Sequence, residues 1–371
     1  MRKFEFIDSL RGVAILMVII VHCSQYGRNY FPVIISNVFN LGLTGVQLFF
    51  IISAFTIFYS LNNRKSDQET SNLQFFIRRY FRIAPMYYIG IFYYLIQDGL
   101  GDRYWLGDQS HITVSNVLSN LTFTHGFYPY HINSIVPGGW TIAVEMIFYC
   151  LVPFLFSYIT SLWRAIFGLG ASILVKVIFY KILIENCLII DVNLWNEFLS
   201  IYIFSQLPYF FMGILLYYIF VKKYGNLPIL ILSGIILICL PFFSRKGLVI
   251  DPRFLMGLIF LLLAYILSQK PIKILVNPIF SFFGKISFSM YIVHFAVLHW
   301  LNHFGIVDFL DIETTSSIFL KLGNFTIRYT VVLVTTGAIS YLTFITIEQP
   351  FQNIAKIIIN RIPKGKIELV D

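Results

Sequence analysis

Charge is scarce in this chain of 371 residues: Asp, Glu, Lys and Arg together make up 12%, about half the share of a water-soluble domain. So little charge cannot dress a surface that faces water, which excludes an ordinary soluble enzyme. Cysteine is scarce too. Cys23, Cys150, Cys187 and Cys239 stand in or beside apolar stretches with no paired spacing, so they read as small core residues and as neither a disulfide framework nor metal ligands. No metal-ligand spacing, glycine-rich phosphate loop, dinucleotide fingerprint or nucleophile elbow occurs, which excludes the enzyme classes built on those motifs. Internal repeats and low-complexity tracts are missing as well. Acids number 18 against 27 bases, for a net +9. The bases flank apolar blocks, so a positive-inside bias accounts for them without a nucleic-acid partner.

Apolar residues are abundant, at 58%, and aromatics reach 18% with 39 Phe and 23 Tyr. They come in long blocks with charges confined to the gaps, the pattern of an all-α polytopic protein embedded in a lipid bilayer. At about 20 residues per span, hydropathy predicts about ten transmembrane helices, near 10–27, 41–61, 80–97, 140–160, 164–184, 199–221, 228–243, 254–268, 286–304 and 326–347. Lys176 and Lys181 interrupt the fifth. With a cytoplasmic N-terminus, the inner gaps collect Arg2, Lys3, Arg64, Arg78, Arg79, Arg82, Lys222, Lys356 and their like, whereas the outer gaps hold only Arg28, Arg103, Arg245, Lys246, Arg253, Lys321 and Arg328. Both termini are therefore expected in the cytoplasm. No small-residue cleavage site follows the first span, which reads as a retained helix. Residues 1–371 read as one membrane domain without an appended soluble domain. The sizeable outer segment, from Asp98 to Gly139 with His111, His125 and His131, is suited to capping a site from outside.

Ionisable side chains within a bilayer are costly and mark a pathway or a site. Arg11 and His22 share the first span. Eleven residues at 100° each end about 20° past three full turns, so both face one side, roughly 16.5 Å apart along the axis. A snorkelling arginine and an imidazole satisfied by a neighbouring helix is the plainer account. Glu145 sits near the outer end of the fourth span, at a depth that overlaps His22. A carboxylate beside an imidazole fixes its tautomer and raises its basicity, as general-base catalysis needs; an ion pair with Lys176 or Arg28 is the structural alternative. Ser287, Tyr291 and His294 share a helical face by their spacing, and Glu348 is expected to pair with an inner arginine. Arg78, Arg79 and Arg82 cluster where the third span begins. Guanidinium forks suit a polyphosphate, though taken by itself the cluster is better explained as a positive-inside anchor on anionic lipid headgroups.

The segments as a set resemble the acyltransferase-3 family of integral membrane acyltransferases over nearly the whole chain. Ile7-Asp8-Ser9-Leu10-Arg11-Gly12 is similar to the family's Asp-x-Leu-Arg-Gly start, and Arg11 to His22 to its Arg-x10-His motif. Gly45 to Ser53 resembles the second-span motif, Arg79-Tyr80-Phe81-Arg82 the Arg-x-x-Arg motif, Trp140 to Glu145 the Trp-Ser/Thr-x-x-x-Glu segment, and Ser289, Tyr291 and His294 the late Ser/Tyr/His segment. Ala54 and Ser9 replace glycines often found there. The resemblance implies transfer of an acyl group, usually acetyl from acetyl-CoA, to a hydroxyl of a cell-surface carbohydrate, in the cytoplasmic membrane of a bacterium.

On that reading His22, Glu145 and Arg11 form the catalytic set, with Glu145 orienting the ring of His22, which acts either as a base or as the acyl carrier. Arg78, Arg79 and Arg82 hold acyl-CoA; Asp8, Ser53, Trp140, Ser289, Tyr291 and His294 are further polar site candidates, and no metal is expected. The rival reading is a transporter or flippase that uses the buried His, Glu and Arg as a relay. Against it stands the lack of an internal repeat.

Overall fold

The computed structural model describes residues 4–28, 30–65, 72–239 and 252–362, and within them the chain forms helices and turns without a strand. Its helices are α1 (Glu5–Ser24), α2 (Val33–Asn40), α3 (Gly45–Lys65), α4 (Asn72–Asp98), α5 (Val114–Leu121), α6 (Gly139–Tyr158), α7 (Leu162–Glu185), α8 (Val192–Ile201), α9 (Ile203–Lys222), α10 (Leu227–Cys239), α11 (Pro252–Gln269), α12 (Pro278–Lys285), α13 (Ser287–His303), α14 (Ile318–Thr343) and α15 (Gln349–Arg361). Each of the ten expected spans falls on one of them. Among the described residues, seven stretches are long and apolar enough to cross a membrane, and α12 with α13, bent by 78°, makes an eighth if the pair counts as one span. The chain is an all-α polytopic membrane protein. α4 is long enough, but its three arginines lower its hydropathy; α10 is short, and residues 240–243 of the expected seventh span lie outside the described residues. So do Arg2, Lys3, Arg245 and Lys246. α7 runs unbroken through Lys176 and Lys181, exposing most of its apolar surface to lipid.

α1 stands at the centre, packed against α3, α12, α13 and α14. Its approach to α12 is a backbone contact. A Cβ on Gly12 would lie 2.0 Å from the Phe280 carbonyl oxygen, and one on Gly284 would lie 1.7 Å from that of Asp8. Such small-residue contacts let membrane helices come closer than side chains allow. This pairing fixes the rotation of α1, and with it the directions of Asp8 and Arg11.

Two arginines tie the far end of α1 and α4 in place. Arg328 of α14 is fully buried; it donates to the Val307 carbonyl at 2.8 Å and the Cys23 carbonyl at 3.2 Å, and also to Tyr26 O and to Asp308. Burial alone would raise the Asp308 pKa. Hydrogen bonds from Asn324 and the Arg28 N–H, together with the Arg328 charge, instead hold it below the usual carboxylate range. Arg103 donates to the carbonyls of Ser134 and Ile135, each at 3.0 Å, and of Gly99 at 2.7 Å and Tyr94 at 3.2 Å. It thereby fastens the outer segment to the end of α4.

The outer segment is ordered into short turns and α5, which Thr113 and Asn116 close with a capping box. It also dips into the bundle. His125 is fully buried, with Nε2 3.1 Å from both the Tyr87 hydroxyl and the Gly139 carbonyl. Burial lowers its pKa to about 4, leaving it neutral. α6 therefore starts below the bundle's rim, anchored by His125 at its first residue.

Candidate active site

Three cavities follow one another along the bundle. At the arginine end, a cavity of about 360 Å³ is lined by Arg64 of α3, by Arg78, Arg79 and Arg82 of α4, and by Lys356 of α15. Five cations and no acid line it among the described residues, side chains of the kind that suit an anionic ligand. Arg79 is held by its π faces, with its guanidinium carbon 5.3 Å from the Tyr149 ring and 5.8 Å from that of Phe75. Arg64 and Lys356 escaped the sequence reading, because only folding brings α3 and α15 to the cavity that α4 lines.

Arg82 also lines the next cavity, of about 70 Å³, with Arg11, Ser53, Glu145, Tyr149, Ser287 and Tyr291. The Glu145 carboxylate accepts a hydrogen bond from Ser53 Oγ at 2.6 Å and a short one from the Tyr149 hydroxyl. Tyr149 lies one turn beyond Glu145 on α6, an i, i+4 neighbour that the sequence displays without revealing its role. Arg11 pairs with Asp8 at 3.6 Å and donates to Thr56 Oγ1 at 3.4 Å. Ser53, Arg11 and Glu145 are thus brought together, with Asp8 behind Arg11.

The third cavity, of about 430 Å³ at the opposite end, contains His22, Gln25, Tyr94, Asp98 and Arg103, together with Asn133, Ser134, Ile135, Pro137 and Gly138 of the outer segment. That segment forms part of the wall of the His22 chamber. His22 is half-buried; its Nδ1 lies 2.9 Å from Gln25 Oε1. An amide oxygen only accepts, so Nδ1 carries the proton and Nε2 keeps its lone pair. The ring sits 4.4 Å from Phe295 and 5.4 Å from His294, centroid to centroid. His294 is fully buried, with Nδ1 3.0 Å from the Met290 carbonyl and with no partner for Nε2 among the described residues.

A thin wall separates the second and third cavities. The Tyr291 hydroxyl, facing the second, donates at 3.3 Å to the carbonyl of Gly138, which lines the third. Gly138 has φ +77°, and a Cβ there would fall 2.7 Å from the Tyr291 oxygen, so both conformation and space require glycine.

The structure does not bring Glu145 to His22. Depth counted from the start of each span misleads here, because α6 begins sunk in the bundle; Glu145 consequently lies in the cavity of Arg11, some three turns along α1 from His22. Gln25, not a carboxylate, orients the ring. Arg28 pairs with Asp311 at 3.0 Å, not with Glu145. Glu348, at the end of a π-helical turn, accepts from the Ser289 N–H at 3.1 Å and from its hydroxyl. Ser289 supplies its hydrogen bonds, while the charge of Arg82, one of the inner arginines, acts on it without a direct ion pair; the polar groups of Ser289 are thereby occupied in joining α13 to the start of α15. Trp140 packs edge-on against Phe50 with centroids 6.2 Å apart. No group of three or more His, Cys, Asp or Glu suited to a metal ion occurs among the described residues.

No curated protein and no solved structure matches this chain. The family model of the acyltransferase domain, acyltransferase-3, nevertheless matches residues 4–345, nearly the whole chain, and the chain belongs to that family of acyltransferases.

Proposed function

We propose that this membrane acyltransferase moves an acetyl group from acetyl-CoA, bound at the arginine end on the cytoplasmic side, to a carbohydrate hydroxyl that reaches His22 from the other side of a bacterial cytoplasmic membrane. The observation that carries this reading is the alignment of the three cavities, with Arg82 shared by the first two and the Tyr291–Gly138 contact between the last two. Coenzyme A has two parts of opposite character. Its phosphates suit the five-cation cavity, where Arg forks pair with phosphate oxygens. Its slender pantetheine arm suits the narrow passage past Arg82 and Arg11. The Arg11-to-His22 rise of roughly 16.5 Å sets the distance that arm must cover to deliver the thioester.

In the transfer, His22 Nε2 takes the proton of the acceptor hydroxyl as its oxygen attacks the thioester carbonyl. The new C–O bond forms, the C–S bond breaks, and the proton passes from His22 to the departing sulfur, so that ester and coenzyme A thiol are the products. Gln25 holds the tautomer this requires. Glu145 keeps Tyr149 and Ser53 in place and balances the charge of Arg11, Arg79 and Arg82 along the donor route.

Protein reconstituted in liposomes with labelled acetyl-CoA and a panel of glycans tests the reading. Label appearing as an alkali-labile ester on a glycan, with stoichiometric release of free thiol, is the expected result. Movement of label or glycan across the bilayer without ester formation establishes the transporter reading instead. A labelled His22 trapped in a single turnover without acceptor overturns direct transfer in favour of an acyl-enzyme.

A further inference from the structure

A fourth opening takes no part in the route above. Between α4, α13 and α14 runs a groove of about 340 Å³ whose wall is almost wholly apolar, including Met86, Tyr93, Ile292, Ala296, Trp300 and Ile339. It opens sideways. Ile89, Trp300, Phe304 and Ile339 line it while remaining 42%, 40%, 65% and 40% exposed, so the groove is continuous with the surface that these helices present to lipid. Hydrocarbon, not water, is the favoured occupant of such a surface.

The length of the groove points to one leaflet. Its lining on and just past α13 extends from Ile292 to Phe304, twelve residues of helical rise or roughly 18 Å, slightly more than half of a hydrocarbon core of about 30 Å. The Ile292 end lies toward His22, whose ring neighbours His294 and Phe295, and the shallow end lies toward Phe304. There Trp300 Nε1 donates to the Tyr93 hydroxyl at 2.6 Å, an amphipathic pair of the type found at headgroup level. Tyr94 lines both the groove and the His22 cavity, its hydroxyl donating to the Ile292 carbonyl at 2.7 Å. Along α13, Phe295 and His299 face the cavity, whereas their neighbours Ala296 and Trp300 face the groove. A single helix edge therefore separates the hydrocarbon path from the imidazole.

We infer that this groove seats the hydrocarbon chain of the acyl acceptor, which is an amphiphile: the tail lies along α13, and the hydroxyl-bearing head passes over Tyr94 to His22. The inference rests on the acyl-transfer reading of the His22 cavity. The groove explains how a polar acceptor is delivered to a site walled by membrane helices, since its tail is already held where the bilayer would hold it.

The test uses full-length protein in phosphatidylglycerol nanodiscs and a dodecyl glucoside carrying a diazirine at the end of its chain. Irradiation is expected to label peptides covering Met86–Tyr94 or Ile292–Phe304. Unlabelled dodecyl maltoside should displace the probe, while dodecanol and added phosphatidylglycerol of the same chain length should not, because only the sugar head engages the His22 cavity. Ala296→Phe, and independently Ile339→Trp at the exposed rim, should each reduce labelling at least fivefold. Displacement by dodecanol or phosphatidylglycerol as effective as that by the maltoside makes the groove a bulk-lipid site and overturns the inference, as does labelling confined to other helices. Head-selective labelling of the groove in protein that forms no ester on any glycan counts against the acyl-transfer reading alone.

Discussion

Replacing Gln25 by leucine probes the geometry at His22 most directly. Gln25 is exposed, so the change leaves the packing of α1 intact while removing the 2.9 Å hydrogen bond from His22 Nδ1. A neutral hydrogen bond contributes a net 0.5–1.5 kcal/mol, about, and at about 1.4 kcal/mol per factor of ten its loss should lower kcat roughly twofold to twelvefold. His22→Ala, which removes the proposed base itself, should cost about a hundredfold or more. KM for acyl-CoA should not follow kcat in the Gln25 variant, because the basic cavity lies beyond Arg11. Glu145→Gln should act differently, chiefly on acyl-CoA binding, since its contacts are with Ser53 and Tyr149 in the Arg11 cavity. Sites without shared partners add to within about 0.5 kcal/mol, so the double variant should show the product of the two single effects. The assay is thiol release from acetyl-CoA by reconstituted protein over a range of donor concentrations. A Gln25→Leu enzyme with parental kcat, or a coupling energy between the two sites above about 1 kcal/mol, would refute the separation of His22 from Glu145.

Arg79→Ala and Arg82→Ala should raise KM for acyl-CoA by about tenfold to a hundredfold, the equivalent of one charged contact, with lysine restoring only part because it lacks the bidentate fork; parental KM with poor membrane accumulation would make the cluster a topology anchor. His125 is neutral when folded, its pKa lowered by burial to about 4, so its contribution is complete above the ordinary value of about 6.5 and fades as pH falls toward 4, by about 3 kcal/mol at most. Thermal unfolding in nanodiscs from pH 7.5 to 4.5 should show this slope, and His125→Gln should flatten it; an equal slope in both proteins assigns the acid sensitivity to other groups. Gly284→Ala, whose Cβ would fall 1.7 Å from the Asp8 carbonyl oxygen, should prevent α1 and α12 from docking and deplete folded protein, whereas normal levels in a detergent-stability assay would show that the helices yield. Reporter fusions after Arg64 and Lys222 should respond as cytoplasmic, and those after Asp102 and Asp311 as external; an external signal at Lys222 breaks the expected topology.

Hydropathy located helices well because burying an unpaired peptide group in lipid is expensive, which forces each long apolar block into a helix whatever its neighbours do. Even α7, with Lys176 and Lys181 inside it, obeys. The order of the motifs along the chain likewise carries the resemblance to the acyltransferase family, and the placement of Arg11 and His22 on one face of one helix depends only on helical geometry.

What hydropathy cannot report is how far one helix is shifted along another. That offset was decided by tertiary contacts: Gly12 and Gly284 let α1 and α12 touch, and His125 pulls the start of α6 below the rim. Glu145 was therefore carried away from His22 and toward Arg11, Ser53 and Tyr149. Ser289 was taken by Glu348, 59 residues later in the chain, through a hydrogen bond that no spacing rule anticipates. Arg64 and Lys356 joined the arginine cluster only because the fold turns α3 into the same cavity and packs α15 against α4. Periodicity along a single helix follows from its own backbone, so sequence determines which residues share a face; the partner that each face meets depends on the relative depth of separate helices, which only their packing sets.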